Sequence, residues 1–334
     1  MKLSRYLDCI LASGAVLLLL LPSASADDTL KVAIPQRGAW ESSAPELGQQ
    51  AGIFKKYGIT LDLHYTQGSY EAQQRVISGS LDLGLDIDLM DVLRASARGA
   101  AVRIIGANVT GSTNYWYVLN TSPIRNIKDL AGKTIAYEEN GSLSQYNVLD
   151  FLKKNRLKAK LVPTGGPAAT FNELVAGRVD VGWAAPPFGM DKIEQADIRV
   201  IARANDVPRI QGMTVSVLIT NAGSLQRGND VLGRFMEAYR ATIDWMYSDP
   251  VALQRYLELA GLEGSGSQLP EKFIAKDMLS PDKLTGVKTV MKDANVKLSR
   301  RQVAELIDIV GQQYKASEAV PSSGQQPSRS SREK

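Results

Sequence analysis

The sequence predicts an α/β protein of two similar lobes, each a mixed, mostly parallel sheet flanked by helices, joined by two extended crossings. Three observations carry that prediction. First, the stretch at 66–84 (TQGSYEAQQRVISGSLDLG) recurs at 164–182 (TGGPAATFNELVAGRVDVG), with Thr66/Thr164, Gly68/Gly166, Gly79/Gly177, Asp82/Asp180 and Gly84/Gly182 each 98 residues apart. The register reaches upstream, where Phe54-Lys55-Lys56 matches Leu152-Lys153-Lys154 and Leu63 matches Leu161. Second, each copy reads as helix, apolar strand, Gly loop, helix and short strand, a βαβ-type crossover of right-handed connection. Third, two β-prone runs, NYWYVLN at 114–120 and MTVSVLIT at 213–220, stand where the chain must pass between lobes and return. Lobe one is then discontinuous, 28–115 plus 216–316, with lobe two, 116–215, inserted.

The chain's beginning reads as something other than fold. Residues 1–26 combine a basic start (Lys2, Arg5), an apolar run through Leu21 and Ala24-Ser25-Ala26, the pattern of a cleaved secretory signal. The apolar run is too short for a retained anchor. The one cysteine, Cys9, falls in that segment, so the exported chain has no disulfide or thiolate ligand to draw on. The remainder is ordinarily globular in composition, with 334 residues in all, 44% hydrophobic and 22% charged, long enough for two cores. A net charge of +4 argues against a nucleic-acid binder. The Ser-, Gln- and Pro-rich tail, 317–334, reads as disordered.

Taken in order, LKVAI at 30–34 is a buried strand followed by the loop 35–40. Ser43 opens a helix with capping-box spacing that should run through Phe54 to Gly58. An alternating strand fills 60–65, then come the helix after Gly68 and a strand on Leu81, Leu83 and Leu85. A helix capped by Asp88 or a neighbour follows, through Ala97 to Gly99, and then a strand at 102–107. The second lobe offers Ile127–Leu130, strand 134–137, a helix with Ser142-x-x-Gln145 spacing, strand 160–162, the repeated loop and helix, and strands 179–183 and 198–202. From residue 230 only helices are legible, at 230–247, at 250–259 with Asp249-Pro250 as its cap, and at 299–314 with Ser299-x-x-Gln302 spacing, expected to pack on lobe one as a cap.

AGIFKKYGITLDL, VISGSLDLG and ASARGAAVRII, with NIKDLAGKTIAY and ELVAGRVDVGWAAPPF, resemble the periplasmic solute-binding proteins of ABC importers. The resemblance is to the nitrate, sulfonate, taurine and pyrimidine-precursor (thiamine-precursor) type, and it covers about 29–315. It implies a type II periplasmic binding protein that closes on a small organic anion or zwitterion between its lobes and delivers it to a permease. It also implies a periplasmic monomer with no enzymatic activity, cofactor or metal. Two alternatives share the fold: an enzyme of the pyrimidine-precursor type, and a ligand sensor for a membrane kinase. This chain differs from the resembled pattern at Asp86-Ile87-Asp88, where small residues are usual, and at Trp183-Ala184-Ala185-Pro186, where many members have a Trp-Glu-Pro-like run.

Ligands of open α/β sheets collect at the carboxyl ends of strands. That rule selects Arg37, Gly38, Trp40, Gln67, Gly68, Ser69, Asp86, Asp88 and Asn108 from lobe one. From lobe two it selects Glu138, Asn140, Gly141, Ser142, Gly165, Gly166, Trp183, Ala184 and Pro186. Helices opening from these loops turn free N–H groups and positive dipole ends to the cleft, which suits a carboxylate or sulfonate. Arg37 is a candidate anion partner and Trp40 and Trp183 are candidate walls for an apolar body, with Trp183→Ala expected to weaken binding at little cost in stability. Asp86, Asp88 and Glu138 suit instead an N–H or cationic group, a helix cap or an interlobe ion pair. Asp82 and Asp180, matched across the repeat, suggest a shared structural role. His64, the one histidine, falls within a strand and reads as structural. With one histidine and no G-x-x-x-x-G-K-[ST] run, a metal site, nucleophilic triad or phosphate loop has little to build on.

Overall fold

The computed structural model describes residues 27–308 except 36, 141, 228 and 263–273. The segment read as a signal, Gly141, residues 309–314 of the helix expected at 299–314, and the tail read as disordered lie outside the described residues. The strands are β1 (Asp28–Ile34), β2 (Ile59–Tyr65), β3 (Leu83–Asp88), β4 (Val102–Thr110), β5 (Tyr115–Leu119), β6 (Thr134–Tyr137), β7 (Lys160–Pro163), β8 (Gly182–Ala184), β9 (Ile198–Arg203) and β10 (Thr214–Asn221). The helices of the first half are α1 (Ala44–Gln50), α2 (Ile53–Lys56), α3 (Ser69–Ile77) and α4 (Leu89–Ala97). Those of the second are α5 (Leu143–Asn155), α6 (Pro167–Val175), α7 (Met190–Glu194) and α8 (Pro208–Gln211). The C-terminal part holds α9 (Ala222–Arg227), α10 (Asn229–Ser248), α11 (Pro250–Leu259), α12 (Val287–Asp293) and α13 (Arg300–Leu306).

Two sheets share one plan. The first has the order β2-β1-β3-β10-β4, with β10 antiparallel to both neighbours and the rest parallel. In the second, β6 pairs parallel with β7, the bridge Ile135–Val181 joins β6 to the start of β8, and β5 runs antiparallel between β8 and β9. Its order, β7-β6-β8-β5-β9, repeats the first sheet position for position. Each sheet thus has its antiparallel strand in fourth place, and the chain is a mixed α/β protein. The two runs read as crossings are these antiparallel strands, and the actual passages between sheets are 111–114 and 204–213. Aromatic, β-branched runs were legible as extended chain, but nothing local distinguishes a crossing from a fully buried strand.

The repeated unit folds the same way twice. Helices α3 and α6 occupy matched positions, 69–77 and 167–175, with Gly68 and Gly166 as their N-caps and Gly79 and Gly177 left-handed just after each. Asp82 and Asp180 do one job. The Asp82 carboxylate accepts from the Lys31 N–H at 3.0 Å while its own N–H donates to the Lys31 carbonyl. The Asp180 carboxylate accepts from the Thr134 N–H at 2.8 Å, and its N–H donates to the Thr134 carbonyl. Each clasp ties the chain leaving a crossover helix to the strand in second place in its sheet, β1 or β6. His64 sits in β2 beside Asp62.

Buried side chains cover both faces of the first sheet. On one, Phe54, Leu47 and Trp40 pack against Phe235, Tyr239 and Tyr256 of the C-terminal helices; on the other, Val76, Val92 and Leu93 meet Val287, Val290 and Val303. A separate core around Trp116, Phe151, Val148 and Trp183 serves the second sheet. The helix expected from Ser43 to Gly58 breaks at Gly52 (φ 71°), giving α1 and α2. Ser43 donates its hydroxyl to the Ala39 carbonyl and forms no cap. Ser142, Asp249 and Ser299 cap as their spacing predicts. Among the described residues no helix is long and apolar enough to cross a membrane.

The clasps generate an ordered prediction. Asp180→Ala removes one charge-assisted bond at an exposed position and should cost about 1 kcal/mol. Asp82→Ala also removes the acceptor of the Ser224 hydroxyl at 3.0 Å and should cost more, about 2 kcal/mol. Urea midpoints of the two variants check the order.

Candidate functional site

Parallel pairing sends the carboxyl ends of β1, β3, β6 and β8 to a common region, and a cavity of about 780 Å³ lies there. From the first sheet it is lined by Pro35, Glu41, Gly68, Ser69, Asp86 and Asp88, and by Ser216 of β10. From the second come Glu138, Ser144, Pro167, Ala168, Trp183 and Ala185, with Pro187 to Gly189, Asp191 and Lys192 after β8. Ser112 to Asn114, the first passage between the sheets, complete the wall. A smaller cavity of about 470 Å³ adjoins it, sharing Gly68, Ser69, Asp88 and Glu138 and adding Gln67, Asn140 and Ser142. The N-termini of α3 and α6, one from each copy of the repeat, therefore meet on the same space. Ser69 also ties that corner together, its hydroxyl accepting from the Asp88 N–H at 2.9 Å.

Asp86 is aimed by the backbone. Leu85 and Asp86 together oppose the single Leu218 of β10, a β-bulge, and Asp86 takes φ 56°, a left-handed conformation that aspartate tolerates better than most residues. Its carboxylate accepts from the Ser42 hydroxyl at 2.8 Å and the Asn108 amide at 3.0 Å. Asn108, fully buried, is held in turn by the Tyr239 hydroxyl donating to its Oδ1 at 2.7 Å. Asn108 thus acts on Asp86 from behind the cavity wall. Asp88 caps α4 by accepting from the Met90 N–H at 2.7 Å.

The site's electrostatics are dominated by carboxyls. Among the described residues, Glu41, Asp86, Asp88, Glu138 and Asp191 line the larger cavity, against one cation, Lys192. Lys192 pairs with Asp191 at 3.2 Å and lies 5.0 Å from the centre of the Phe171 ring. Burial, with the neighbouring Asp86 charge, pushes the Glu41 carboxyl up to about 8, partly offset by its own backbone N–H and the Thr113 hydroxyl. Burial and Asp91 push Asp88 up to about 6. Burial, with Glu139 beside it, also raises Glu138. Ionised carboxylates in a low-dielectric wall with no cation against them are held at a cost.

Several predicted residues lie elsewhere. Arg37 points away to an exposed ion pair with Glu46 at 3.0 Å and stacks over Tyr65. Trp40 is 1% exposed, its Nε1–H donating to the Tyr247 hydroxyl at 2.9 Å and its ring meeting the edges of Tyr247 and Tyr256. Gly38 accepts from the Tyr256 hydroxyl, so the whole 38–40 turn is covered by α10 and α11. Ala184 is buried in the β5–β8 ladder opposite Tyr115. Gly165 accepts from the Trp183 Nε1–H at 3.2 Å. Gly165, Gly166 and Pro186 stand next to cavity-lining residues without lining it themselves. The strand-end rule selected loops that reach the cavity, but not which side chain of each turns inward. Glu41, Ser112 to Asn114, Asp191, Lys192 and Ser216 line the cavity outside that selection. Glu41 follows Trp40 directly and was within reach as the next residue of the chosen loop.

Residues 46–253 match the family model described as NMT1/THI5 like. A search of curated proteins gives no match. Among solved structures, the chain is similar to the alkanesulfonate-binding protein SsuA of Xanthomonas axonopodis pv. citri bound to MOPS. That likeness has 17% identity and TM-score 0.62, covering 86% of this chain and 100% of that one. It is similar too to the periplasmic aliphatic sulphonate binding protein SsuA of Escherichia coli, at 17% identity and TM-score 0.64 over 81% and 86% of the two chains. A putative sulfonate-binding SsuA of Methylobacillus flagellatus KT gives 15% identity and TM-score 0.64 over 85% and 92%. At these identities the likeness establishes the periplasmic binding protein fold.

Two predictions follow from the packing and charge of the wall. Trp183 is only 4% exposed and belongs to the second core, so Trp183→Ala should lower stability by about 3–5 kcal/mol, contrary to the expectation from sequence. For Glu41 the folded value lies above the ordinary 4.5, so its protonated form stabilises the fold at low pH and that stability is lost as pH rises through about 8. Glu41→Gln should therefore melt at a higher temperature than the parent above pH 8, the gap closing toward pH 4.5. Melting curves across that range check it.

Proposed function

The chain belongs to the NMT1/THI5-like family, and from that premise we propose that it is the periplasmic substrate-binding component of an ABC importer. The observation that carries the reading is the meeting of α3 and α6, the matched helices of the repeat, at one cavity large enough for a small organic solute. The first sheet with its helices and the second sheet with its helices act as two lobes that close on the solute and hand it to the permease. The passages 111–114 and 204–213 are the bending points. Residues 1–26 direct export and are removed near Ala26, and the protein works as a monomer.

The ligand we infer is a small zwitterion. Its negative end is served by the open first turns of α3 and α6, whereas α4 is already capped by the Asp88 carboxylate. Trp183 and Phe188 supply apolar wall for the body. A bare anion is opposed by the lining. A sulfonate about 5 Å from one ionised carboxylate meets roughly 3 kcal/mol of repulsion at an effective dielectric of about 20, and five carboxyls face this space.

Thermal-shift screening of sulfonates, carboxylates, nitrate, pyrimidines and zwitterions tests the reading. A zwitterion should raise the melting temperature in a saturable way, through mass action on the folded state. Trp183→Phe, which keeps the packing, should weaken that binding roughly 3–10-fold. Shifts given by uncharged sugars alone would contradict the helix-terminus argument.

A further inference from the structure

We infer that Glu41 and Asp86 form the receptor for a positively charged, N–H-bearing group of the solute, such as a primary ammonium, amidinium or guanidinium. The inference rests on the solute-binding reading above and deepens it. Glu41 is 8% exposed, lines the cavity, and its Oε2 is buried without a hydrogen-bond partner. On its own the raised Glu41 carboxyl holds its proton at neutral pH; a cation brought against it ionises it, and its oxygens are then acceptor-only, so a buried orphan of this kind calls for a positively charged donor. Asp86 stands on the same wall, and its charge is felt at Glu41. No lysine or arginine of the described residues makes a salt bridge with either. The one cation that the described residues bring to the wall, Lys192, is engaged by Asp191 and Phe171.

The geometry of Asp86 shows a carboxylate held for use. A residue needing only to fill this place would not require a bulge and φ 56°, a left-handed conformation that persists only where its surroundings impose it. The Ser42 hydroxyl and Asn108 amide each fix one oxygen, at 2.8 and 3.0 Å, and leave further lone pairs on both. Two carboxyls side by side, one of them desolvated, make a poor site for an anion and a strong one for a delocalised or multi-donor cation. The preference for N–H over quaternary nitrogen follows from Oε2, because a methylated nitrogen has no hydrogen to give it.

The test uses the full mature chain and two matched series in calorimetry and thermal shift. One contains linear ω-amino and ω-guanidino acids of increasing length with simple alkylammonium ions; the other contains chain-matched carboxylates and sulfonates without nitrogen. Members of the nitrogen series should bind. Glu41→Gln should weaken them roughly 10–100-fold while leaving the fold intact, and Asp86→Asn, in which asparagine tolerates the left-handed backbone, should do the same. Binding of the nitrogen-free series at least as tightly, unaffected by Glu41→Gln, would overturn this inference and leave the solute-binding reading standing. Equal binding by trimethylammonium analogues would overturn the N–H requirement. Silence from both series at millimolar concentration would overturn the inference and the reading beneath it.

Discussion

Parallel strand pairing is the constraint from which the site follows. In the first sheet β1 pairs in register with β2 and β3, so these strands deliver their C-terminal ends to one edge. The right-handed crossovers then bring α3 and α4 out of that edge N-terminus first. The second sheet repeats the arrangement with β6, β7 and β8. The Asp82 and Asp180 clasps fix where the third strand of each unit begins, and hence where the loop after it emerges.

On that frame the two sheets contribute differently. The second supplies aromatic surface, with Trp183 anchored through its Nε1–H to Gly165 and Phe188 held through its carbonyl by the Tyr115 hydroxyl. The first supplies charge, and supplies it by distorting a strand. The bulge at Leu85–Asp86 turns an aspartate toward the cavity from a sheet otherwise filled with Leu, Ile and Val. Between the sheets, Arg209 of α8 joins Asp150 of α5 to Asp293 of α12. A cation at the second passage, bonded to an acid on either side, restrains the relative positions of the two halves, though its partial exposure keeps that restraint weak.

How far the sequence announced this depends on whether a feature is periodic or positional. The duplicated unit was legible because every crossover needs the same glycines, cap and strand start, and those recur 98 residues apart. The capping serines and Asp88 were legible because a cap is a local bond. What could not be read was which face of a loop is covered. Trp40 and Arg37 belong to a strand-end loop as expected, but Tyr247 and Tyr256, more than 200 residues downstream, claim the tryptophan for the core. The buried state of Glu41 depends on the same distant helices and on the bulge at Asp86. Long-range packing therefore separated the loop's core residue from its functional candidate, two neighbours with no local signal to tell them apart.

Helix N-termini and carboxyls at one cavity pull a ligand's charge in opposite directions, and the balance lies in which of them is already satisfied. The dipole of α4 is answered within the protein by Asp88, and that of α5 is partly answered by Ser142 at Gln145. Those of α3 and α6 have glycine N-caps, which offer no side-chain acceptor. Among the carboxyls, Asp88 is occupied as a cap and Asp191 as the partner of Lys192, whereas the Glu41 oxygen is left over. What is left for a ligand is thus positive dipole ends and the Glu41–Asp86 carboxyl pair, on one cavity. A solute complementary to both must carry charge of each sign, and selectivity against simple anions then comes from the carboxyls that such an anion would leave buried and unpaired.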